Sequence, residues 1–199
     1  MTDRTPTNVT QPMTLTIVRN PTIAFDASTS QYLWNGGSVA TTLTWNHTIG
    51  SGSNRMLIVS AGSYDTLAAH MTVTGVTYNG VALTKARDTI AASVGGKNYA
   101  AMWYLLEATM PAPGTYPVVV TYAGATLGTA GGSISLSNVK QGPPEATAAS
   151  ADTSVNHLTT NITTKGSNAW LVNCGINGYS GAFYNVENQQ ERYQIDNGA

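Results

Sequence analysis

Charge is scarce in this sequence: 9 Lys and Arg stand against 10 Asp and Glu over 199 residues, a net charge of -1. So balanced and sparse a set creates no long-range field to draw in a phosphate backbone or an anionic lipid surface, and neither nucleic acid nor membrane is an expected partner. Cysteine is almost missing. Cys174 alone excludes an intrachain disulfide framework and a thiolate metal site, and between Val172 and Ile176 it reads as a small buried hydrophobe. No apolar run approaches the roughly 18 residues that cross a bilayer. Residues 1–12, MTDRTPTNVTQP, lack the apolar centre of a signal peptide, so the chain is expected to be neither secreted by that route nor membrane-embedded. Phosphate-binding and calcium loops are absent from the pattern as well.

What the chain does have is Thr, Ser, Asn and Gly spread between short apolar runs. Leu43, Trp45, His47 and Ile49 alternate with Thr42, Thr44, Asn46 and Thr48, the two-residue period of a strand with one wet face. GSGSN at 50–54 breaks the pattern, and Met56, Leu57, Ile58 and Val59 follow as a fully buried strand. Residues 13–18 (MTLTIV) and 22–26 (TIAFD) are strand-like, and Tyr32, Leu33 and Trp34 lead into the turn residues Asn35, Gly36 and Gly37. Residues 66–71 (TLAAHM) read as one helical turn or a loop. Asn79-Gly80 between apolar runs predicts a tight type I′ hairpin.

In residues 99–108 (YAAMWYLLEA) helix competes, but the aromatic weight favours a strand with Ala101, Trp103 and Leu105 on one face. Pro117 places the start of the YPVVVTY run at an edge or a strand end. Ser133–Val139 alternates, with Ile134 and Leu136 expected inward and the serines outward, and residues 157–164 and 169–176 read as a further strand pair. The whole is an all-β chain, an antiparallel β-sandwich of the jelly-roll kind. Residues 1–12 form a flexible or partner-bound arm and residues 13–199 a single domain.

Chemical equipment is hard to find. His47, His70 and His157 lie on separate segments, with His47 read as a half-buried strand residue. A metal site would have to be assembled in space from His70, Asp65 and Asp88, so no metal and no cofactor are expected. GSGSN joins two strands and lacks the Gly-x-Ser-x-Gly nucleophile pattern. A glycosidase pair would have to come from Asp65, Asp88, Glu107, Glu187 and Glu191, among which no spacing singles out two. Trp45, Trp103 and Trp170 read as core. Trp34 beside its Gly-rich turn, and Tyr179, Phe183 and Tyr184 in the Gly-rich segment near the end, are candidates to meet a sugar or a neighbouring subunit, against ordinary loop packing as the competing reading. Arg4 and Pro6 of the arm join them as partner-contact candidates.

The succession RMLIVSAGSYD, VTGVTYNGVALTKARD, AAMWYLLEA, APGTYPVVVTYAGA, GSISLSNVKQGPP and AWLVNCGI resembles a β-sandwich module of bacteriophage virion proteins, found also in large bacterial surface proteins. The residues that carry it are Trp45, Arg55 to Val59, Val76 to Thr84 and Trp103 to Leu105. The resemblance implies a non-enzymatic role in display or adhesion. Capsid decoration or cementing through contacts with capsid proteins and with copies of itself, as a trimer, is the first expectation, and receptor or glycan binding in a fibre or adhesin the alternative. It implies a protein made in the host cytoplasm and carried in the virion. The module usually continues past its E-R-Y/W segment, here Glu191 to Tyr193, with a further strand.

Overall fold

The computed structural model describes residues 22–34, 40–93, 95–151, 159–176 and 190–193. The 13–18 run lies outside them. Among the described residues nine strands form two antiparallel sheets: β1 (Ala24–Trp34), β2 (Ala40–Ile49), β3 (Met56–Asp65), β4 (Val73–Tyr78), β5 (Val81–Ala82), β6 (Thr84–Ser93), β7 (Gly96–Leu106), β8 (Gly114–Thr126) and β9 (Gly128–Ser137). One sheet runs β1-β9-β3-β7-β6 and the other β2-β8-β4-β5. With β6 set aside as a hairpin extension of β7, the strands follow the order first, eighth, third, sixth in one sheet and second, seventh, fourth, fifth in the other. That is the double Greek-key winding of a jelly roll.

The strongest local patterns place their elements as expected. Leu43, Trp45, His47 and Ile49 of β2 are buried and the residues between them exposed. Asn79 (φ 49°) and Gly80 (φ 77°) both adopt the left-handed backbone of the type I′ turn. β7 turns Tyr99, Ala101, Trp103 and Leu105 into the core, and residues 68–71 form the single helical turn α1 (Ala68–Met71). GSGSN carries the chain from β2 in one sheet to β3 in the other, so the two are successive and unpaired.

Several expectations are corrected. The Ser/Thr stretch after residue 26 is part of β1, because Ser28, Thr29 and Ser30 pair with Ile134, Ser133 and Gly132 of β9. β9 has its faces the other way round. Ser133 and Ser135 point between the sheets beside Val59 and Leu57, whereas Ile134 and Leu136 sit on the outer face beside Ile58 and Met56. The cause is volume: the Trp45 ring lies over this part of β9, so close that a Cβ on Gly131 would be 2.8 Å from it, and only small side chains fit beneath. Pro117 is inside β8, an interior strand. Its carbonyl accepts the Asn79 N–H at the point where β4 has given way to the hairpin turn, so the missing proline N–H faces a ladder already ended. In residues 159–164 and 169–176 no strand forms, and Trp170 is 46% exposed instead of core. The 169–176 segment lies outside the two layers, where only part of its surface finds the sheet.

A clasp closes one end of the sandwich. Arg55, almost fully buried, donates from Nε to Glu107 Oε1 at 2.8 Å and from Nη1 to the Pro111 carbonyl at 3.4 Å. Gln141 Nε2 donates to the Arg55 carbonyl while its Oε1 accepts the Glu107 N–H. The guanidinium holds the Glu107 carboxyl below the ordinary glutamate range.

The fit under Trp45 is testable by contrast. Gly131→Ala is expected to lower the unfolding free energy by about 1–3 kcal/mol. Gly75→Ala, where nothing lies within 4 Å of the new Cβ, should change it by less than about 0.5 kcal/mol in the same urea titration.

Candidate interaction surface

Polar groups form a seam along the β1/β2 side of the sandwich, buried at Trp45, His47, Ser133 and Ser135 and open to solvent at Asp26. The Trp45 indole N–H donates to Ser133 Oγ at 2.8 Å. Thr29 Oγ1 lies 3.0 Å from that oxygen and 2.8 Å from His47 Nδ1. Asp26 Oδ2 accepts from Ser135 Oγ at 2.7 Å and from the Gly50 N–H at 2.9 Å. His47 is fully buried, not half-buried, with its edge toward the Tyr78 ring and Nε2 unpartnered. Burial lowers its pKa to about 4, against the opposing pull of the Asp26 charge. The Tyr78 phenol, pushed up to about 12 by burial and then by Tyr116, donates to the His47 and Gly114 carbonyls. A neutral imidazole sealed from solvent packs and orients; no substrate reaches it.

The other chemical candidates are engaged structurally. His70 Nδ1 and Asp65 Oδ2 do come together, at 3.5 Å, but Asp65 Oδ1 also accepts the Leu67 N–H just ahead of α1. Asp88 takes Lys85 at 2.9 Å and the Tyr99 hydroxyl at 2.8 Å, and the Lys85 hydrogen bond is the main reason its carboxyl sits below the usual aspartate range. No three His, Cys, Asp or Glu among the described residues are grouped to hold a metal ion. Glu107 belongs to the clasp, Glu191 is exposed, and Glu187 and His157 lie outside the described residues. The two best-formed surface hollows, of about 310 and 400 Å³, are open and lined chiefly by Thr, Ala, Leu and Tyr side chains. No helix among the described residues is long and apolar enough to cross a membrane.

The two outward faces of the sandwich differ sharply. That of the four-stranded sheet carries Thr42, Thr44, Asn46 and Thr48 opposite Thr121, Val119, Pro117 and Thr115, with Thr48 and Thr115 hydroxyls 2.7 Å apart. That of the five-stranded sheet is built from rows set by strand register. Phe25, Leu136, Met56 and Leu106 form the first, and Ser28, Ile134, Ile58 and Tyr104 the second. Trp34, Gly128, Tyr64 and Asn98 form the last. On this apolar face lie residues of the 169–176 and 190–193 segments: Arg192 stacks its guanidinium 3.7 Å from the Phe25 ring centroid, and its carbonyl accepts from Ser28 Oγ. Ile162, Trp170 and Leu171, 38%, 46% and 58% exposed, bring three of the six exposed large hydrophobics of the described residues to residues 159–176.

Comparison with family models, with curated proteins and with solved structures finds no match.

Of the partner-contact candidates, Trp34 is described and is 48% exposed, its ring 6.0 Å from that of Tyr64. Each ring covers a glycine of the next strand: Trp34 lies over Gly128 and Tyr64 over Gly96, where a Cβ would be 2.6 and 2.8 Å from ring atoms. Arg4, Pro6, Tyr179, Phe183 and Tyr184 lie outside the described residues. Ile162, Trp170 and Leu171 are the surface side chains that reading the sequence missed. No sequence signal marks them, since a run that does not alternate is as compatible with a buried strand such as β3 as with an exposed segment.

The seam makes stability depend on pH. The ring titrates near 6.5 unfolded and about 4 folded, so between these values the unfolded chain holds the extra proton. Stability is whole above pH 6.5 and is lost as pH falls through the folded value, by on the order of 3 kcal/mol. Chemical denaturation from pH 7 to 4 is expected to show this slope, and His47→Leu should flatten it.

Proposed function

We propose that this protein is a structural component of a bacteriophage virion, a capsid-decorating or cementing subunit that buries surface on neighbouring capsid proteins and on its own copies, as a trimer. Its role is contact and not turnover, and its place is the assembled particle after synthesis in the host cytoplasm. The observation that carries this reading is the unequal finish of the two sheets: one faces outward chiefly with threonine and asparagine, the other with Phe25, Met56, Ile58, Ile134 and Leu136. On that second face lie Ile176, Arg192 and Tyr193, the first of them from the segment that also carries the exposed Trp170 and Leu171. Exposed apolar side chains gathered on one side are what an interface uses. The resemblance to the phage module supports the same reading, and the sparse charge fits association by shape over association by field.

A second reading, receptor or glycan binding, is favoured by the Trp34 and Tyr64 rings, laid side by side over glycines with Trp34 half-exposed. An aromatic surface of this kind takes the C–H face of a sugar ring.

Mass spectrometry of purified particles tests the first reading. The chain is expected in a fixed copy number related to the capsid symmetry, and Trp170→Ser with Leu171→Ser should cut its rebinding to stripped particles at least tenfold. A chain missing from particles and indifferent to capsids would overturn the proposal. For the second reading, an array of glycans should give a hit that Trp34→Ala abolishes, and a blank array would remove it.

A further inference from the structure

The outer face of the five-stranded sheet has a trough. Its middle rows read Ser30, Gly132, Ser60 and Met102, then Tyr32, Ala130, Gly62 and Ala100, so a strip of side chains too small to fill the layer above a sheet runs between Tyr32 and Met102. Residues from later in the chain fill it. A Cβ on Gly62 would run into the Ile176 side chain, and one on Gly132 into the Tyr193 ring. The Tyr193 hydroxyl meets Ser60 Oγ, and the Cys174 thiol lies near enough to the same hydroxyl for Ser60 to oppose the rise that burial imposes on it. Burial under this layer raises the Tyr193 phenol and the Cys174 thiol above their ordinary ranges. Along 171–176 the exposure alternates, with Val172, Cys174 and Ile176 the more covered residues, so an extended segment turns one line of side chains to the trough.

That segment has the sequence of a strand without being one. Gly166-Ser167-Asn168 repeats Gly52-Ser53-Asn54, and both asparagines are left-handed, at φ 62° and 51°. After the first copy comes β3, buried on both faces. After the second come Trp170, Leu171 and Val172, the first two largely in solvent.

We infer that the trough is a self-docking site, in which residues 172–176 of one copy of this chain seat in the trough of the next. The occupant is a second copy because an exchanged segment makes the same contacts as the one within the chain, so exchange forfeits no side-chain packing and concentration decides between them. The path leading to the segment is held by exposed hydrogen bonds, Lys165 N–H to Glu145 and Ser150 Oγ to the Thr159 carbonyl, both 2.9 Å and easily given up to water. A segment that bridges two copies also brings Trp170 and Leu171, which within one chain stay open, next to the second copy. This inference does not rest on the virion reading, since a chain that never meets a capsid would still dock on itself.

Ser60→Cys places a thiol beside native Cys174, the chain's single cysteine, and turns the contact into a trap. The full-length variant is oxidised across a hundredfold range of concentration and run without reductant. Covalent dimers and larger species should rise from a minor to the major fraction as concentration increases, and should vanish when Cys174→Ser is added. Linkage that stays within one chain at every concentration overturns the inference, and if the protein still occupies particles it leaves the virion reading standing. Sedimentation of the unmodified chain decides independently of how well Ser60→Cys folds. It is expected to self-associate, with the associated fraction rising with concentration. A monomer throughout the same hundredfold range overturns the inference as well.

Discussion

The constraint on which the two-layer structure depends is the seating of the Trp45 ring. An indole projecting from the edge strand β2 must find both a hollow and an acceptor across the gap between sheets, and β9 supplies them as Gly131 and Ser133. Once the serines are turned inward to meet it, the strict alternation of a strand sends Ile134 and Leu136 outward. The outer face of the five-stranded sheet is therefore apolar as a consequence of how the interior is packed, and an apolar outer face has to be covered by something. One large ring inside thus determines which face of the molecule has to be covered.

The same seam keeps His47 neutral and unreactive. Its Nδ1 is satisfied by Thr29, which also reaches Ser133, so the hydrogen bonds that align Trp45 and those that hold His47 are one network. Such a network specifies register: slipping β1 by one residue against β9 would take Thr29 away from both partners. The Arg55 clasp does comparable work at the end of the sandwich, tying the loop after β2 to the turn after β7 and to Gln141 beyond β9.

Elements whose two faces meet different surroundings were legible from the sequence. β2 has water on one side and core on the other, so its alternation states both its type and its orientation, and the Asn79-Gly80 turn was equally plain. In β7 helix competed with strand on composition, and only the reading of Trp103 as core pointed to the inward face. Where both faces are covered, alternation names the strand and not its sides, which is why β9 was turned over. Burial of His47 and the long course of β1 through Ser28, Thr29 and Ser30 depend on cross-strand partners about a hundred residues away, at Ser133 and its neighbours, which local composition does not carry. Of the surface residues, Trp34 could be picked out because a turn signal follows it. Trp170 could not, because its run has the composition of a buried strand and its exposure is decided by where the segment comes to lie.

The central claim is that the five-stranded sheet is the contacting side of the molecule and the four-stranded sheet the free side. Hydrogen–deuterium exchange of the protein alone and in the assembled particle measures this directly. The account predicts slowed exchange on assembly in residues 159–176 and along β1, with the outer threonines of β2 and β8 unchanged. Slowing confined to β2 and β8, with residues 159–176 as open as before, would contradict it.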